Sequence, residues 1–378
     1  MKRRVWNRIA THGWEALEER RCLTVVVAVD DTDLEITGQA DGPVEITAAA
    51  DGSLQVVDNG VVIDTVSGVT GTIHVDLDED GTADDTLTMN LDPLAVDRVI
   101  VELGGGDNTF TLAGGTVNQN LTYRGGDGDD SVTLAAAATV ERNVSLRLGD
   151  GDNSATIEGN VGRSLAVSGR DGIDAVSIAA SAVIGRAVEL ALGDGDNVVD
   201  IAGEIRGGLF VRGGSDDDTV DLTEGAQIGR SAIFALGNGD NALTTGATIA
   251  DNLLFHGRSG NDNVTITATA TVSGNVKAVL GAGDNTLTHD GTIEGDLYVT
   301  SANEDDVVTI ADTATVGGET ELTLGEQGEY GCNGGEGGGE AAFGRGRAFR
   351  GNRGESLANA LLTPGGFGIA ALARFLRR

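Results

Sequence analysis

The sequence predicts an all-β fold, a parallel β-solenoid (β-helix) of about eleven coils of 21 or 23 residues. A 44-residue unit repeats from residue 81 to residue 329, and each unit consists of two similar halves. Short runs in each half alternate apolar with small polar residues, the pattern of a strand with one buried face. Only 3% of the residues are aromatic, so the core must be built from Val, Ile, Leu and Ala.

One polar position marks the coils, because an Asp or Asn precedes every alternating run at intervals of 21 to 23 residues. We call this set the Asp/Asn column. Its members are Asp85, Asn108, Asp130, Asn153, Asp174, Asn197, Asp218, Asn241, Asp262, Asn285 and Asp306. Such a period, with one carboxyl or amide in each step, indicates a stack of equivalent coils.

Each coil is expected to contain two or three short strands. The run at 174–178 is followed by a second alternating run at 188–192, and the same pair recurs in every half-repeat. Equivalent positions would stack about 4.8 Å apart and form an interior ladder. The expected ladder residues are Val132, Ala155, Val176, Val199 and Val220. The two coil lengths are attributed to the middle connection, which is short at 158–160 and longer at 135–139.

A five-bladed β-propeller is the alternative fold, since 44 residues also suffice for a four-stranded blade. The solenoid is favoured because the two halves of each repeat are equivalent, whereas the four strands of a blade are not. Propellers also pack aromatic residues that this chain lacks.

Four regions are predicted. Residues 81–329 form the β-solenoid repeats, and residues 25–80, with poorer periodicity, form an irregular β cap over the end of the stack. Residues 330–378 are a Gly/Arg-rich tail, expected to be flexible because it has few apolar residues. Residues 1–24 belong to no strand pattern and are interpreted as an N-terminal sorting segment.

The N-terminal segment carries a family resemblance. The stretch from Glu15 to Thr24, after the basic Lys2, Arg3 and Arg4, resembles the Leu-Glu-Pro-Arg-x-Leu-Leu type segment of planctomycete surface and secreted proteins, with Glu19 at the usual proline. The resemblance implies export and an extracellular or cell-surface location. No apolar run reaches the 18 residues typical of a transmembrane helix, so no membrane span is expected.

The net charge limits the classes of binding partner, and the cysteine content limits the covalent cross-links. The formal net charge of -34 makes nucleic acid an unsuitable partner and makes cations suitable ones. Only two cysteines are present, neither of them in the repeats, so no disulfide framework is indicated.

The turns before the alternating runs resemble a calcium-binding repeat. Residues 125–133 match the nonapeptide Gly-Gly-x-Gly-x-Asp-x-apolar-x of haemolysin-type (RTX) proteins, and partial matches occur at 169–177, 213–221 and 257–265. The resemblance implies that aspartates and carbonyl groups of adjacent turns bind Ca²⁺. The chain departs from that family because the motif occurs once per coil and Asn alternates with Asp.

A second acidic position precedes nearly every member of the Asp/Asn column. We call it the acid column. Its members are Asp84, Asp107, Asp129, Asp152, Asp196, Asp217, Asp240, Asp284 and Asp305, with Ile173 and Asn261 as interruptions. Two adjacent acidic columns favour hard divalent cations. Two alternatives without calcium remain open. Each Asp or Asn side chain can accept an N–H group of its own turn, with amide ladders joining the coils. The exposed acids can instead form a solvated face that only keeps the rod soluble.

The sequence nominates calcium ligands in both columns. The alternating acids at 76, 78 and 80, followed by Gly81, also suit a tight Ca²⁺ loop. The candidate ligands are Asp76, Asp78, Asp80, Asp84, Asp127, Asp129, Asp130, Asp152, Asp174, Asp196, Asp218, Asp240, Asp262, Asp284 and Asp306.

The function expected from these features is that of a monomeric, exported, calcium-stabilised structural or adhesion module. A glycan-binding module is the second hypothesis, because Arg142, Arg186 and Arg230 recur every 44 residues with Arg163 nearby, and extracellular polysaccharide or cell envelope would be the partner. A polysaccharide lyase or hydrolase is the third. A non-enzyme is favoured because no residue cluster interrupts the repeat, and His289 is expected to be an exposed strand-end residue.

Overall fold

The computed structural model describes residues 25–77, 81, 83–303, 306–325 and 329–332. These residues form a parallel β-solenoid of about eleven turns, which confirms the predicted fold class. Each strand pairs with the equivalent strand of the next coil, so the coils form a stack and not a ring of blades. The predictions for residues 1–24, for Asp78 and Asp80, and for most of the tail lie outside the described residues.

The solenoid has three faces. Face A is a 14-stranded sheet in which every pair is parallel except the first. Its strands are Val26–Asp30, Asp33–Thr37, Thr72–Asp76, Arg98–Gly104, Leu121–Gly125, Val144–Gly149, Leu165–Gly169, Val188–Gly193, Leu209–Gly213, Ala232–Asn238, Leu253–Ser259, Val276–Gly281, Leu297–Ser301 and Thr320–Thr323.

Face B follows face A in each coil, and face C consists of two-residue strands that complete the coil. Three strands near the N-terminal end bend across both: Thr86–Val96, Thr109–Val117 and Ser131–Val140. The other strands of face B are Val44–Ala48, Ser53–Asp58, Val61–Ser67, Ser154–Ile157, Ala175–Ile178, Val198–Ile201, Thr219–Leu222, Ala242–Thr245, Asn263–Ile266, Thr286–His289, Val307–Ile310 and Glu329–Cys332. Those of face C are Asn160–Val161, Val183–Ile184, Glu204–Ile205, Gln227–Ile228, Thr248–Ile249, Thr271–Val272, Thr292–Ile293 and Thr315–Val316.

The connection between faces B and C sets the coil length, as predicted. In a shorter coil, residues 158–159 join strand Ser154–Ile157 to strand Asn160–Val161. In the next coil, residues 179–182 join strand Ala175–Ile178 to strand Val183–Ile184. The two additional residues stay in this connection, so the strands of both coil types remain in register.

The core is a set of stacked apolar ladders. Val132, Ala155, Val176 and Val199 are successive partners on face B, and each is at most 2% exposed. Val220 continues this ladder, which confirms the predicted interior positions. Because each coil buries its side chains against its two neighbours, the apolar contacts that stabilise the fold lie mainly between coils.

The turns from face A to face B, such as 126–130 and 150–153, form what we call the glycine corner. Gly151 has a φ of +114°, and a Cβ placed on it would lie 2.2 Å from the carbonyl oxygen of Gly128 in the preceding coil. A side chain there would therefore push adjacent coils apart. Close stacking of the coils explains why the repeats need glycine at this point.

The N-terminal end of the stack departs from the parallel pattern. Val26–Asp30 lies antiparallel to Asp33–Thr37, and Ser53–Asp58 is antiparallel to both of its neighbours on face B. Thr72–Asp76 then pairs in parallel with Asp33–Thr37, which continues face A into the repeats. In the part of the chain that the structure describes, no helix has the length and apolarity needed to cross a membrane.

Two adjacent valines test the stacked core. Val199 is 1% exposed and Val198, on the same strand, is 45% exposed. We expect Val199→Ala to lower the free energy of unfolding by about 2 kcal/mol, because it removes two buried carbon atoms and leaves a gap. Val198→Ala should change it by less than about 0.5 kcal/mol. Urea unfolding followed by circular dichroism measures both, and equal effects would contradict the assigned register.

Candidate functional site: the glycine corner

The two polar columns lie on opposite sides of the glycine corner. Every member of the Asp/Asn column is buried, with at most 4% of its surface exposed. The described aspartates of the acid column, one residue earlier in the chain, are exposed. The corner therefore has a buried polar interior and an acidic exterior.

The Asp/Asn column forms a hydrogen-bond ladder between coils. The backbone N–H of Asp174 donates to Oδ1 of Asn197 in the next coil at 2.9 Å, and that of Asp218 donates to Oδ1 of Asn241 at 3.1 Å. The same bond runs from Asn241 to Asp262 at 3.1 Å. In each of these bonds the acceptor belongs to the following coil and not to the turn that carries the N–H group, which differs from the alternative of side chains bonded within their own turn.

Three asparagines of the column, Asn153, Asn197 and Asn241, use the amide group to join their own turn to the next coil. Nδ2 of Asn197 donates to the carbonyl oxygen of Gly195 at 3.0 Å and to Oδ1 of Asp218 at 2.9 Å. Asn241 makes the equivalent bonds to Gly239 and Asp262. An amide therefore satisfies both of its polar atoms in this position.

The aspartates of the column are less well satisfied. The Oδ2 atoms of Asp174, Asp218 and Asp262 are buried without a hydrogen-bond partner. Each lies against a glycine five residues earlier, so that a Cβ on Gly213 would be only 1.6 Å from Oδ2 of Asp218. In the coil of Asp306 that glycine position holds Ser301, whose hydroxyl donates to Oδ2 of Asp306.

Burial changes the titration of these carboxyl groups. It raises the pKa of Asp130, Asp174 and Asp262 to about 6 and that of Asp218 to about 7, although hydrogen bonds from the preceding asparagine act in the opposite direction. A protonated carboxyl carries no charge into the core. The inner side of the corner is thus suited to holding protons.

The acid column forms a second ladder, which runs in the opposite direction. The backbone N–H of Asp152 donates to Oδ1 of Asp129 in the preceding coil at 2.7 Å, and that of Asp240 donates to Oδ1 of Asp217 at 2.6 Å. The N–H of Ile173 donates to Asp152 in the same way, but Ile173 has no side-chain oxygen to accept the N–H of Asp196, so the ladder is interrupted at that step. At Asn261 the ladder continues, because its Oδ1 accepts the N–H of Asp284. Each aspartate that accepts such a bond uses one carboxylate oxygen for it, and its side chain remains exposed.

The structure separates the nominated calcium ligands into several groups. Asp130, Asp174, Asp218, Asp262 and Asp306 are buried in the Asp/Asn column. The exposed corner holds Asp84, Asp127, Asp129, Asp152, Asp196, Asp240 and Asp284. Asp76 lies on face A. Among the described residues, only His74, Asp76 and Glu102 place three metal-ligating atoms within 4.8 Å of one another.

A cleft at the corner was not foreseen from the sequence. It lies between Arg170 and Arg212, is floored by glycines such as Gly193, and has a volume of about 290 Å³. Asp171 and Asp194, whose backbones form a parallel bridge, also line it. The predicted Arg positions 142, 186 and 230 do not line this cleft.

His289 differs from the expectation of an exposed strand-end residue. It is 0% exposed, in the inward column between Ile266 and Ile310 on face B. Its Nε2 lies 3.2 Å from the carbonyl oxygen of Thr315, and burial lowers its pKa. His289 therefore belongs to the core, because it follows Leu287 with the period of two of a strand.

No protein-family model, curated protein or solved structure matches this chain.

The raised pKa values predict a pH-dependent stability. The unfolded chain has Asp at its ordinary pKa of 3.8, whereas the folded chain holds these four protons up to about pH 6 to 7. Their contribution is therefore fully present below about pH 4 and is lost as the pH rises through 6 to 7. We expect the melting temperature to fall between pH 5 and pH 8.

Asp218→Asn should reduce this pH dependence by roughly a quarter, because it removes one of the four groups. Asp217→Asn is the matched control, since Asp217 is exposed and an amide oxygen can still accept the N–H of Asp240. Melting curves at several pH values provide the measurement. A slope that is the same in the wild type and in Asp218→Asn would show that the Asp218 carboxyl does not titrate in this range.

Proposed function

We propose that the protein is an exported structural or adhesion module, a rod whose acid column binds calcium ions along one edge. The observation that supports this proposal most directly is the exposed ladder of the acid column. It holds one carboxylate in most coils, in repeated register, and it leaves the second oxygen outside the backbone hydrogen bonds. Oxygen-rich, partly exposed arrays of this kind suit Ca²⁺.

Electrostatics give calcium a role in stability. Two carboxylates about 4.8 Å apart repel by about 0.9 kcal/mol in bulk water and by about 3.5 kcal/mol at an effective dielectric constant near 20. The repulsion accumulates along an edge that belongs to a chain of net charge -34. A divalent cation between adjacent coils would offset it.

One acid-rich part of the edge lies between residues 127 and 152. Asp127 and Asp150 form a parallel backbone bridge, and Asp129 accepts the N–H of Asp152, so four carboxyl groups besides the buried Asp130 occupy two successive turns. This is also where the sequence matches the calcium-binding nonapeptide throughout. We confine the proposed ligands to the exposed residues, because those of the Asp/Asn column have no access to solvent.

Export and the surface location are part of the same proposal. They are supported by the resemblance of the N-terminal segment to planctomycete sorting segments. A stack of equivalent coils suits a structural role, because a long repeated edge offers many equivalent sites for ions or ligands.

Calcium should raise the melting temperature of the protein, and EDTA should reverse the increase, because the ions bind only the stacked coils. Asp129→Asn/Asp152→Asn should weaken the effect while keeping the ladder, since amide oxygens still accept N–H groups. Asp251→Asn/Asp312→Asn removes the same charge from exposed positions outside the corner and is the control. Melting that is unaffected by calcium would rule out the calcium role.

The cleft between Arg170 and Arg212 supports a second candidate function, the binding of an acidic glycan. Guanidinium groups bind carboxylates and sulfates in a bidentate manner, and the glycine floor allows a sugar chain to approach the backbone. We expect Arg170→Ala/Arg212→Ala to lose binding to uronate-containing polysaccharides on a glycan array. Arg142→Ala/Arg186→Ala should retain it, and equal retention by both variants would reject this candidate.

A further inference from the structure

A cluster of metal-ligating side chains lies on face A, away from the glycine corner. His74 and Asp76 are two residues apart on strand Thr72–Asp76 and therefore project to the same side. Asp76 is the direct partner of Glu102 on the neighbouring strand. One ligand atom from each of these three side chains lies within 4.8 Å of the other two.

Neighbouring residues hold this cluster in place. Nε2 of His74 is 3.7 Å from Oε2 of Glu102, and Arg124 on the next strand engages the other oxygen, Oε1. Nδ1 of His74 is 4.0 Å from Oε1 of Glu35 on the preceding strand. Glu102 thus has one oxygen held by an arginine and the other directed to the histidine, an arrangement that fixes a ligand's orientation.

The charges of the cluster favour a cation. Asp76 and Glu102 are like charges directly opposite each other in a parallel ladder, a pairing that destabilises a sheet. Glu35 adds a third carboxylate, and Arg124 provides a single positive charge. The side chains of His74 and Glu102 are 32% and 25% exposed, so water can still reach the cluster while desolvation strengthens its electrostatics.

We propose that His74, Asp76 and Glu102 form a binding site for a divalent transition metal ion of the zinc class. One imidazole nitrogen with two carboxylate oxygens is a ligand set for zinc, cobalt or nickel, whereas calcium takes oxygen ligands alone. Three protein ligands leave a position for water or for a group from a partner. This site is independent of the proposed calcium edge, because it shares no residue with the acid column.

An arrangement of the same residues as ion pairs, without a metal ion, predicts a different response to zinc. A protonated His74 could form ion pairs with Glu35 and Glu102 without any metal ion. In that case zinc would have no specific affinity for the cluster. The two arrangements can therefore be separated by measuring metal binding directly.

Isothermal titration of the full chain with zinc chloride, after EDTA treatment and dialysis, tests the proposal. Millimolar calcium is present to compete with zinc for the exposed aspartates of the acidic edge. We expect one tight site in the wild type. His74→Ala and His74→Gln should abolish it, and Asp76→Asn or Glu102→Gln should weaken it at least tenfold. His256→Ala is the matched control, because His256 is also a partly exposed histidine on a strand of face A.

Cobalt gives a second measurement that does not depend on heat signals. Binding of Co²⁺ at a site of this kind should produce visible absorption bands that the wild type and His256→Ala show and that both His74 variants lack. Far-UV circular dichroism of the His74 variants establishes that they are folded. The proposal is overturned if the folded His74 variants bind zinc as the wild type does, or if no tight site is present in the wild type. A loss of zinc binding in Asp129→Asn/Asp152→Asn with retention in His74→Ala would likewise overturn it.

Discussion

The structure depends on one constraint: every coil must make its turn from face A to face B at the same position as its neighbours. At the glycine corner the backbone of one coil approaches the next so closely that a single added carbon would collide with a carbonyl oxygen, as at Gly151. Two hydrogen-bond ladders run along this corner, one inside and one outside. With the corner in register, the apolar ladders of faces A, B and C follow, because each strand starts at a fixed distance from it.

The alternation of Asp and Asn follows from the same constraint. A buried polar group in the corner is required to accept the N–H of the preceding coil, and both side chains provide the necessary oxygen. An asparagine also binds its own turn, whereas an aspartate leaves its second oxygen in contact with glycine. Alternation keeps buried carboxyls about two coil spacings apart, which reduces their mutual repulsion if they ionise.

The fold could be predicted from the sequence because several independent features of the sequence recur with the same period. Period, alternation and the length of the middle connection all indicate one register, and the ladder from Val132 to Val220 lies where it was expected. The strand pattern also predicts which side chains at the corner point inward. Asp130 has the same parity as the inward Val132 and Leu134, so an extension of the strand pattern by one pair places it inside. His289 and Leu287 are related in the same way.

The candidate sites were harder to predict, and the reason is geometric. The cluster of His74, Asp76 and Glu102 depends on the pairing of two strands in the least periodic part of the chain. No spacing rule connects those residues. The cleft between Arg170 and Arg212 similarly joins residues of coils that are not adjacent in sequence. Only a three-dimensional register brings such residues together.

The alternation has a consequence for how such a rod can evolve. Loss or gain of a single coil would place two buried carboxyls, or two amides, in successive positions and would interrupt the pattern of donors and acceptors at the join. Removal or duplication of two coils leaves every junction chemically unchanged. The length of this protein can therefore vary most readily in steps of 44 residues, so relatives of different length should differ by whole pairs of coils.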